Sequence, residues 1–419
     1  MRINPRFYII AVTAVIIFSA WLFLFDKLLF NIWFGLFLVI LFSWLSCKYS
    51  LQEIQVSRYS RKKILEVGEI FDERLEIMNG SKFKKFWIEV RDRSELMAKI
   101  SSRVITSLGP KAVAIFPSTV ILNKRGFYLL GPTELISGDP FGLFTSSKLF
   151  HFKNNLVVYP KISVLRNFPL LPSDKTGGTS LHLQTKHPTP QAAGVREYSP
   201  GDPLSRVHWP TTLRKEKLMV KEFDDDSQAG LWLLLDAQKG IYIHQDGIRD
   251  TAIDRNYISA KKIKEFVLPR NSFEYAVSIA ASISKYFLAR NLAVGFASAG
   301  VSVTSLPPEK GHRQFNKIME KLAIIKDFGT TPFRQLIERQ AKNIAKGCAI
   351  ILITSTSDQP NEIMMNVLNL KGFHPFTILV DNATFVQENS NPDGITISQS
   401  GSLKKVSFGD NISKVLSAH

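Results

Sequence analysis

Leu231-Trp232-Leu233-Leu234-Leu235-Asp236 is an unbroken apolar run of strand length that stops at a carboxylate. A half-buried strand alternates apolar and polar residues. A strand buried on both faces does not, so this run predicts an internal strand of a parallel sheet. Downstream, Ser272 is expected to cap a helix with Glu274 in its first turn. Phe273, Val277, Ala280, Ile283 and Phe287 would form the inner stripe of that helix. Residues 293–297 and 301–306 suit a strand pair, 312–325 and 332–345 two helices, 349–353 a buried strand, 361–370 a helix and 376–380 a further strand. Thr331 suits an N-cap with Pro332 in the first helical position, and Gly347 a helix stop. The order predicts a doubly wound α/β domain over 228–382, followed by a C-terminal extension, 383–419.

Working outward, residues 7–25 and 28–46 are two apolar runs of 19 residues separated by Asp26-Lys27. As helix each spans about 28 Å, close to the hydrocarbon thickness of a bilayer. Trp21, Trp33 and Trp44 supply aromatic anchors. A signal peptide would have a shorter apolar core, a small-x-small cleavage site and no second run, so residues 1–50 are expected to form a two-helix transmembrane hairpin. Arg2 and Arg6 precede it, and Lys48, Arg58, Arg61, Lys62 and Lys63 follow it. The positive-inside tendency places both ends in the cytoplasm, with the soluble domains, as a multi-pass protein of the cell membrane. The formal net charge of +17 then suits anionic lipid better than nucleic acid, for which no recognition motif is present. The two cysteines, Cys47 and Cys348, are too far apart in character to suggest a disulfide framework.

Between hairpin and α/β domain, residues 51–165 read as short strands at 53–56, 75–78, 86–90, 113–116 and 126–130, a small β-sandwich, with Asn79-Gly80 as a hairpin turn. Asp139-Pro140-Phe141-Gly142-Leu143-Phe144 reads as a corner with Phe141 and Phe144 buried. Residues 166–227 combine a Pro/Gly/Ser/Thr-rich linker, 169–193, with a charged segment. There Ser199-Pro200-Gly201-Asp202 has the residues of a type II turn, glycine taking the positive φ. Around it lie Arg196, Glu197, Tyr198, Arg206, His208, Trp209 and Arg214. The spacing Gly194-Val195-Arg196-x-Tyr198-x-x-Gly201-Asp202-x-x-x-Arg206-x-His208-Trp209 closely resembles the signature of the domain of unknown function 58 family, whose Asp-Pro-Phe-Gly-Leu element is similar to residues 139–143. His208 stands where the signature commonly has a small polar residue.

The order of elements after residue 228 resembles the von Willebrand factor type A fold. That resemblance implies a magnesium site whose first strand ends in Asp-x-Ser-x-Ser, completed by a threonine and an aspartate from later loops. Oxygen ligands of this kind suit a hard cation. Asp236 matches the first ligand, but Gln238 and Gly240 replace the serines. Thr330 or Thr331 could be the threonine, while Ser355 sits near the aspartate position and Asp358 lies beyond it. The expected site is degenerate, with no metal or other cofactor, and a strand-end carboxylate capping nearby amides is the simpler reading of Asp236. The long 239–270 connection, at the carboxyl ends of the strands, is a candidate partner-facing or lid-like insertion.

No phosphate-binding loop, nucleophile elbow or zinc-protease motif occurs, and the eight histidines lack ligand spacing. The Asp224–Asp226 run suits a solvated loop. The family resemblance implies association with MoxR-type AAA ATPases and transglutaminase-like membrane proteins in complex assembly or cell-envelope processes. The expected function is a non-enzymatic, membrane-anchored scaffold. An enzyme, or an anionic-ligand or lipid sensor using the charged signature, is the alternative.

Overall fold

The computed structural model describes residues 1–96, 101–152, 154–169, 192–199, 204–223, 230–244, 267–344, 348–356, 359–386 and 403–417. Residues 1–159 form one compact unit, and the described residues from 160 onward a second.

The first unit opens with a short strand, β1 (Arg2–Ile3), and two helices, α1 (Pro5–Leu24) and α2 (Lys27–Ser50). Both are long and apolar enough to cross a membrane. Phe25 ends α1 in the left-handed region at φ 48°, and Asp26 caps α2 by accepting from the Leu28 amide at 2.9 Å. Trp21 and Trp33 pack between the helices, against Phe30 and Phe18 at ring separations of 5.2 and 4.8 Å. They therefore tie the hairpin together.

Strands β2 (Ile54–Ser60), β3 (Ile64–Glu66), β4 (Ile70–Asn79), β5 (Lys85–Asp92), β6 (Ser101–Leu108) and β7 (Val113–Ile121) follow. β8 (Gly126–Leu130), β9 (Thr133–Gly138), β10 (Phe144–Phe150) and β11 (Asn154–Tyr159) complete the unit. They form sheets of order β1-β10-β9-β5-β6, β2-β4-β7 and β3-β11-β8. Ile54, Leu75 and Ile77 of one sheet meet Ile88, Val90, Ile105 and Leu135 of another in a shared core. Arg58 of β2 stitches the layers: buried, it holds Glu73 of β4 through two 2.8 Å bonds and Asp92 of β5 at 2.6 Å.

Two sequence expectations change here. Asn79-Gly80 is no hairpin turn, because β4 pairs with β2 and β7 while β5 pairs with β6 and β9. The Asn79 side chain is instead buried, donating to the carbonyls of Phe83 and Gly109 at 2.8 and 2.9 Å. At the 139–144 corner Asp139 accepts from the amides of Phe141 and Phe144. Phe144 is buried as expected, but Phe141 is 50% exposed.

The second unit begins with the signature segment. β12 (Ala192–Glu197) pairs antiparallel with β13 (Met219–Phe223), enclosing a 3-10 turn, Leu204–Arg206, and a short helix, α3 (Trp209–Lys215). The α/β part has six strands: β14 (Gly230–Leu235), β15 (Ala293–Ala299), β16 (Val303–Glu309), β17 (Ala349–Thr354), β18 (His374–Val380) and β19 (Leu403–Val406). Their order is β16-β15-β14-β17-β18-β19, all parallel except β16. Every residue of β14 is buried, as its apolar run demands, so both sheet faces are covered.

Helices α4 (Ser272–Ala289), α5 (Gly311–Ile324), α6 (Phe333–Ala341), α7 (Gln359–Leu370), α8 (Asn382–Val386) and α9 (Ile412–Ser417) fill the connections. Trp232, Leu234, Ile350 and Leu352 pack against Phe333, Leu336, Ile337 and Leu368 of α6 and α7. β19 and α9 extend this sheet beyond residue 382, where the sequence suggested that the domain ends.

The caps differ from expectation by one residue. Asn271, one position before Ser272, caps α4, accepting from the amides of Phe273 and Glu274. The Ser272 hydroxyl accepts from the Ile243 amide at 2.9 Å. Pro332 is itself the N-cap of α6, so Thr331 caps nothing. Linker 170–191, the Pro200–Pro203 turn region, Asp224–Asp226, residues 245–266, Gly347 and Asp358 lie outside the described residues.

Candidate functional site

Two places gather the residues that the sequence singled out. The first is the carboxyl edge of the α/β sheet. The Asp236 carboxylate is 2% exposed. One oxygen accepts from the Gln238 amide at 3.1 Å and the other from the Thr354 hydroxyl at 2.8 Å. Burial pushes its pKa up to about 6, against the smaller lowering by those two bonds. The turn after it is clamped on several sides. Tyr242 donates its phenol to the Asp236 carbonyl at 2.8 Å. Ser355 and Asn382 both donate to the Ile241 carbonyl, at 2.8 and 2.6 Å. Gly329 exchanges bonds with the backbone of Ala237 and Lys239. Only glycine fits there, since a Cβ would lie 2.0 Å from the Ala299 carbonyl oxygen.

This geometry does not suit a magnesium ion. Asp236 faces inward, with both oxygens engaged by protein donors, and Gln238 and Gly240 bring no hydroxyls. Thr330, next to Gly329, is exposed and Thr331 half-buried. No three His, Cys, Asp or Glu side chains converge among the described residues. Asp236 does cap a strand-end amide. The described start of the 239–270 connection, through His244, is held in place by the same clamps.

A contact that sequence reading missed lies alongside. His244 Nε2 is 2.5 Å from Asp327, and its Nδ1 is 2.9 Å from Asn271 Nδ2. The Asn271 oxygen is already spent on the α4 cap, so its amide nitrogen donates to Nδ1, and Nε2–H donates to Asp327. A general base needs a ring nitrogen open to substrate. Here both are engaged, and the imidazole acts as a latch between loops. Three residues 27 to 83 positions apart share no linear motif that could have announced it.

The second place is the signature. Arg196 bonds the Glu197 carbonyl at 3.0 Å, and Glu197 pairs with Lys217 at 3.2 Å, both side chains about two-thirds exposed. Tyr198 continues the ribbon through its amide to the Leu218 carbonyl at 2.9 Å. Arg206 closes the 3-10 turn and Arg214 sits in the last turn of α3. His208 is the residue before α3. Its amide donates to the Met219 carbonyl and its Nδ1 lies 2.7 Å from the Thr211 hydroxyl. Gly201 and Asp202 lie outside the described residues.

Val207, Met219 and Val220 are buried beneath. Trp209 is 62% exposed, and Leu213, one turn later on the same side of α3, is 78% exposed. Leu204 at 70% and Leu218 at 44% are exposed in the same segment. The amphipathic residue types were legible in the sequence, but which side they face was not.

Residues 194–242 match the family model described as Protein of unknown function DUF58, a span that includes the signature segment and the turn from Asp236 to Tyr242 but not the residues of later loops that clamp it. The chain is 23% identical over 352 residues to Uncharacterized protein YeaD of Bacillus subtilis (strain 168), across 81% of this chain and 79% of that protein. Similarity therefore extends well beyond the matched segment. Among solved structures, the CARDB domain of the PF1109 protein from Pyrococcus furiosus aligns with 25% of this chain and 86% of its own, at 13% identity and a TM-score of 0.19. The C-terminal domain of wzt aligns with 26% and 75%, at 11% identity and a TM-score of 0.21. Neither carries an argument about fold or function.

Proposed function

We propose that this chain is a membrane-anchored interaction platform without catalytic activity of its own. The observation that carries the reading is the Trp209–Leu213 face of α3, with Leu204 and Leu218. Large apolar side chains gathered on a surface mark contact sites for other proteins, and tryptophan is the residue type most often dominant in them.

The α/β unit supports the same reading. Numbered from β14, its strand order 3-2-1-4-5-6 with an antiparallel third strand is similar to that of von Willebrand factor type A domains, which bind proteins at this sheet edge. With Asp236 turned inward, docking here is independent of a shared metal. The family resemblance implies a MoxR-type AAA ATPase as the partner, together with a transglutaminase-like membrane protein, met by cytoplasmic domains at the cell membrane. Nucleic acid is not a partner.

The test is affinity purification of the full chain from detergent-solubilised membranes, wild type beside Trp209→Ala/Leu213→Ser. A stoichiometric AAA ATPase with the wild type, lost from the variant at unchanged thermal midpoint, is the expected result. Recovery of lipid or a small ligand alone, from both proteins, would replace the platform by an enzyme or sensor using the charged signature.

A further inference from the structure

We propose that the rim of the β-unit around the hairpin base is an anionic-lipid-binding surface, in which Phe83, Phe86, Trp87 and Phe141 sit at headgroup level and Lys82 and Lys84 meet lipid phosphates. It rests on the hairpin spanning the membrane. Lys85 pins the loop to the end of the second helix, its Nζ donating to the Tyr49 carbonyl at 2.5 Å. That helix ends at Ser50, so the loop beside it lies where a spanning helix leaves the hydrocarbon.

The loop is shaped to present aromatic rings. Along an ordinary strand successive side chains alternate between faces, but Trp87 holds φ 49°. With Lys85 and Ile88 buried on either side, both Phe86 and Trp87 point out, 59% and 45% exposed. A left-handed conformation is unusual for a bulky residue and costs on the order of the strain that functional sites keep. Phe83 is 78% exposed, while its carbonyl is held by Asn79 and Ser81. Phe83 is thus displayed on a fixed backbone. Lys82 and Lys84 flank it, exposed.

The start of the first helix carries a second such loop. Asn4 donates through its backbone amide to the Leu143 carbonyl and through its side chain to that of Gly142, both at 2.9 Å. Leu143 and Phe144 pack with Cys47, Phe7 and Ile10 of the helices, which leaves Phe141 outward. Lys48 lies 4.8 Å from the Trp44 ring centre at the same end. Exposed aromatics with interleaved lysines, ringed around paired helix ends, have the composition of a membrane interface facing anionic lipid. A protein partner would need no such continuity with the helix ends.

The test uses the full chain in nanodiscs of phosphatidylcholine alone or with phosphatidylglycerol. An environment-sensitive fluorophore is placed in turn at Phe83→Cys, Phe141→Cys, Leu38→Cys and Arg61→Cys; the native cysteines are buried. Lipids carry a nitroxide either near the headgroup or at mid-chain. The expected result is quenching of the Phe83 and Phe141 probes by the headgroup nitroxide, stronger with phosphatidylglycerol. The Arg61 probe, one strand length from the helix end, should be unaffected, and the Leu38 probe quenched at mid-chain. Lys82→Glu/Lys84→Glu should remove the dependence on phosphatidylglycerol, and its persistence in that variant overturns the anionic part. With Leu38 quenched, Phe83 and Phe141 probes as dark to nitroxide as Arg61 overturn the lipid surface. An unquenched Leu38 overturns the spanning hairpin itself and the lipid surface with it.

Discussion

Asp236 is the residue on which sequence and structure speak most directly to each other. A carboxyl whose pKa is about 6 when folded and near 3.8 when unfolded binds its proton more tightly in the native state. Between those values the folded protein therefore loses stability as the pH rises, because unfolding releases the acid to ionise in water. The sign is opposite to that of a salt-bridged aspartate. About two pH units correspond to roughly 3 kcal/mol. Asp236→Asn keeps an acceptor for the Gln238 amide and cannot ionise. Its thermal midpoint should match wild type at pH 4 and exceed it at pH 7.5, measured on the same preparation. A variant less stable than wild type at the higher pH would mean that the carboxylate is held charged by a partner, and would reopen the question of a cation.

At the scale of elements, Arg58 is the joint between β2, β4 and β5. One guanidinium between two carboxylates, nearly without solvent, has no water to replace a lost partner. Arg58→Leu should cost about 3–5 kcal/mol, as removal of one member of a buried ion pair does. Hydrogen exchange would register the loss first on those three strands. The triple change Arg58→Met, Glu73→Leu, Asp92→Leu should restore much of it, since what destabilises is the charge left unpaired. No recovery would mean that the network shapes the sheets beyond balancing charge.

The elements also show what a linear reading can reach. β14 was legible because burial on both faces leaves no polar residue to interrupt it, and α4 because its stripe repeats at helical spacing. The strands Ser101–Leu108, Thr133–Gly138 and Phe144–Phe150 were missed: they carry serine, threonine and lysine with no sustained alternation. Asn79-Gly80 misled because the residues of a tight turn also suit a crossover between sheets. At the sites, the apolar run ending at Asp236 made a strand-end carboxylate legible, whereas the exposure of Trp209 depends on what lies beneath α3.

At the scale of the whole molecule, one consequence joins the hairpin to everything after it. Helices of 20 and 24 residues leave both the chain start and the β-unit at the same end of the pair. The basic residues there include Arg2, Arg6 and Lys48, and the attached loop adds Lys82, Lys84 and Lys85. The other end carries only Asp26 and Lys27, which cancel. Positive charge within about 15–20 residues of helix ends is retained in the cytoplasm during insertion, so Arg2, Arg6, Lys48 and the basic residues just after it carry the orientation bias. A reporter active only in the cytoplasm should work when fused after His419 and fail when inserted between Asp26 and Lys27; a reporter active only outside should do the reverse. If the fusion after His419 reports from outside, the Trp209–Leu213 face cannot meet a cytosolic ATPase. The partner would then have to be sought among external proteins, with α3 still its contact surface.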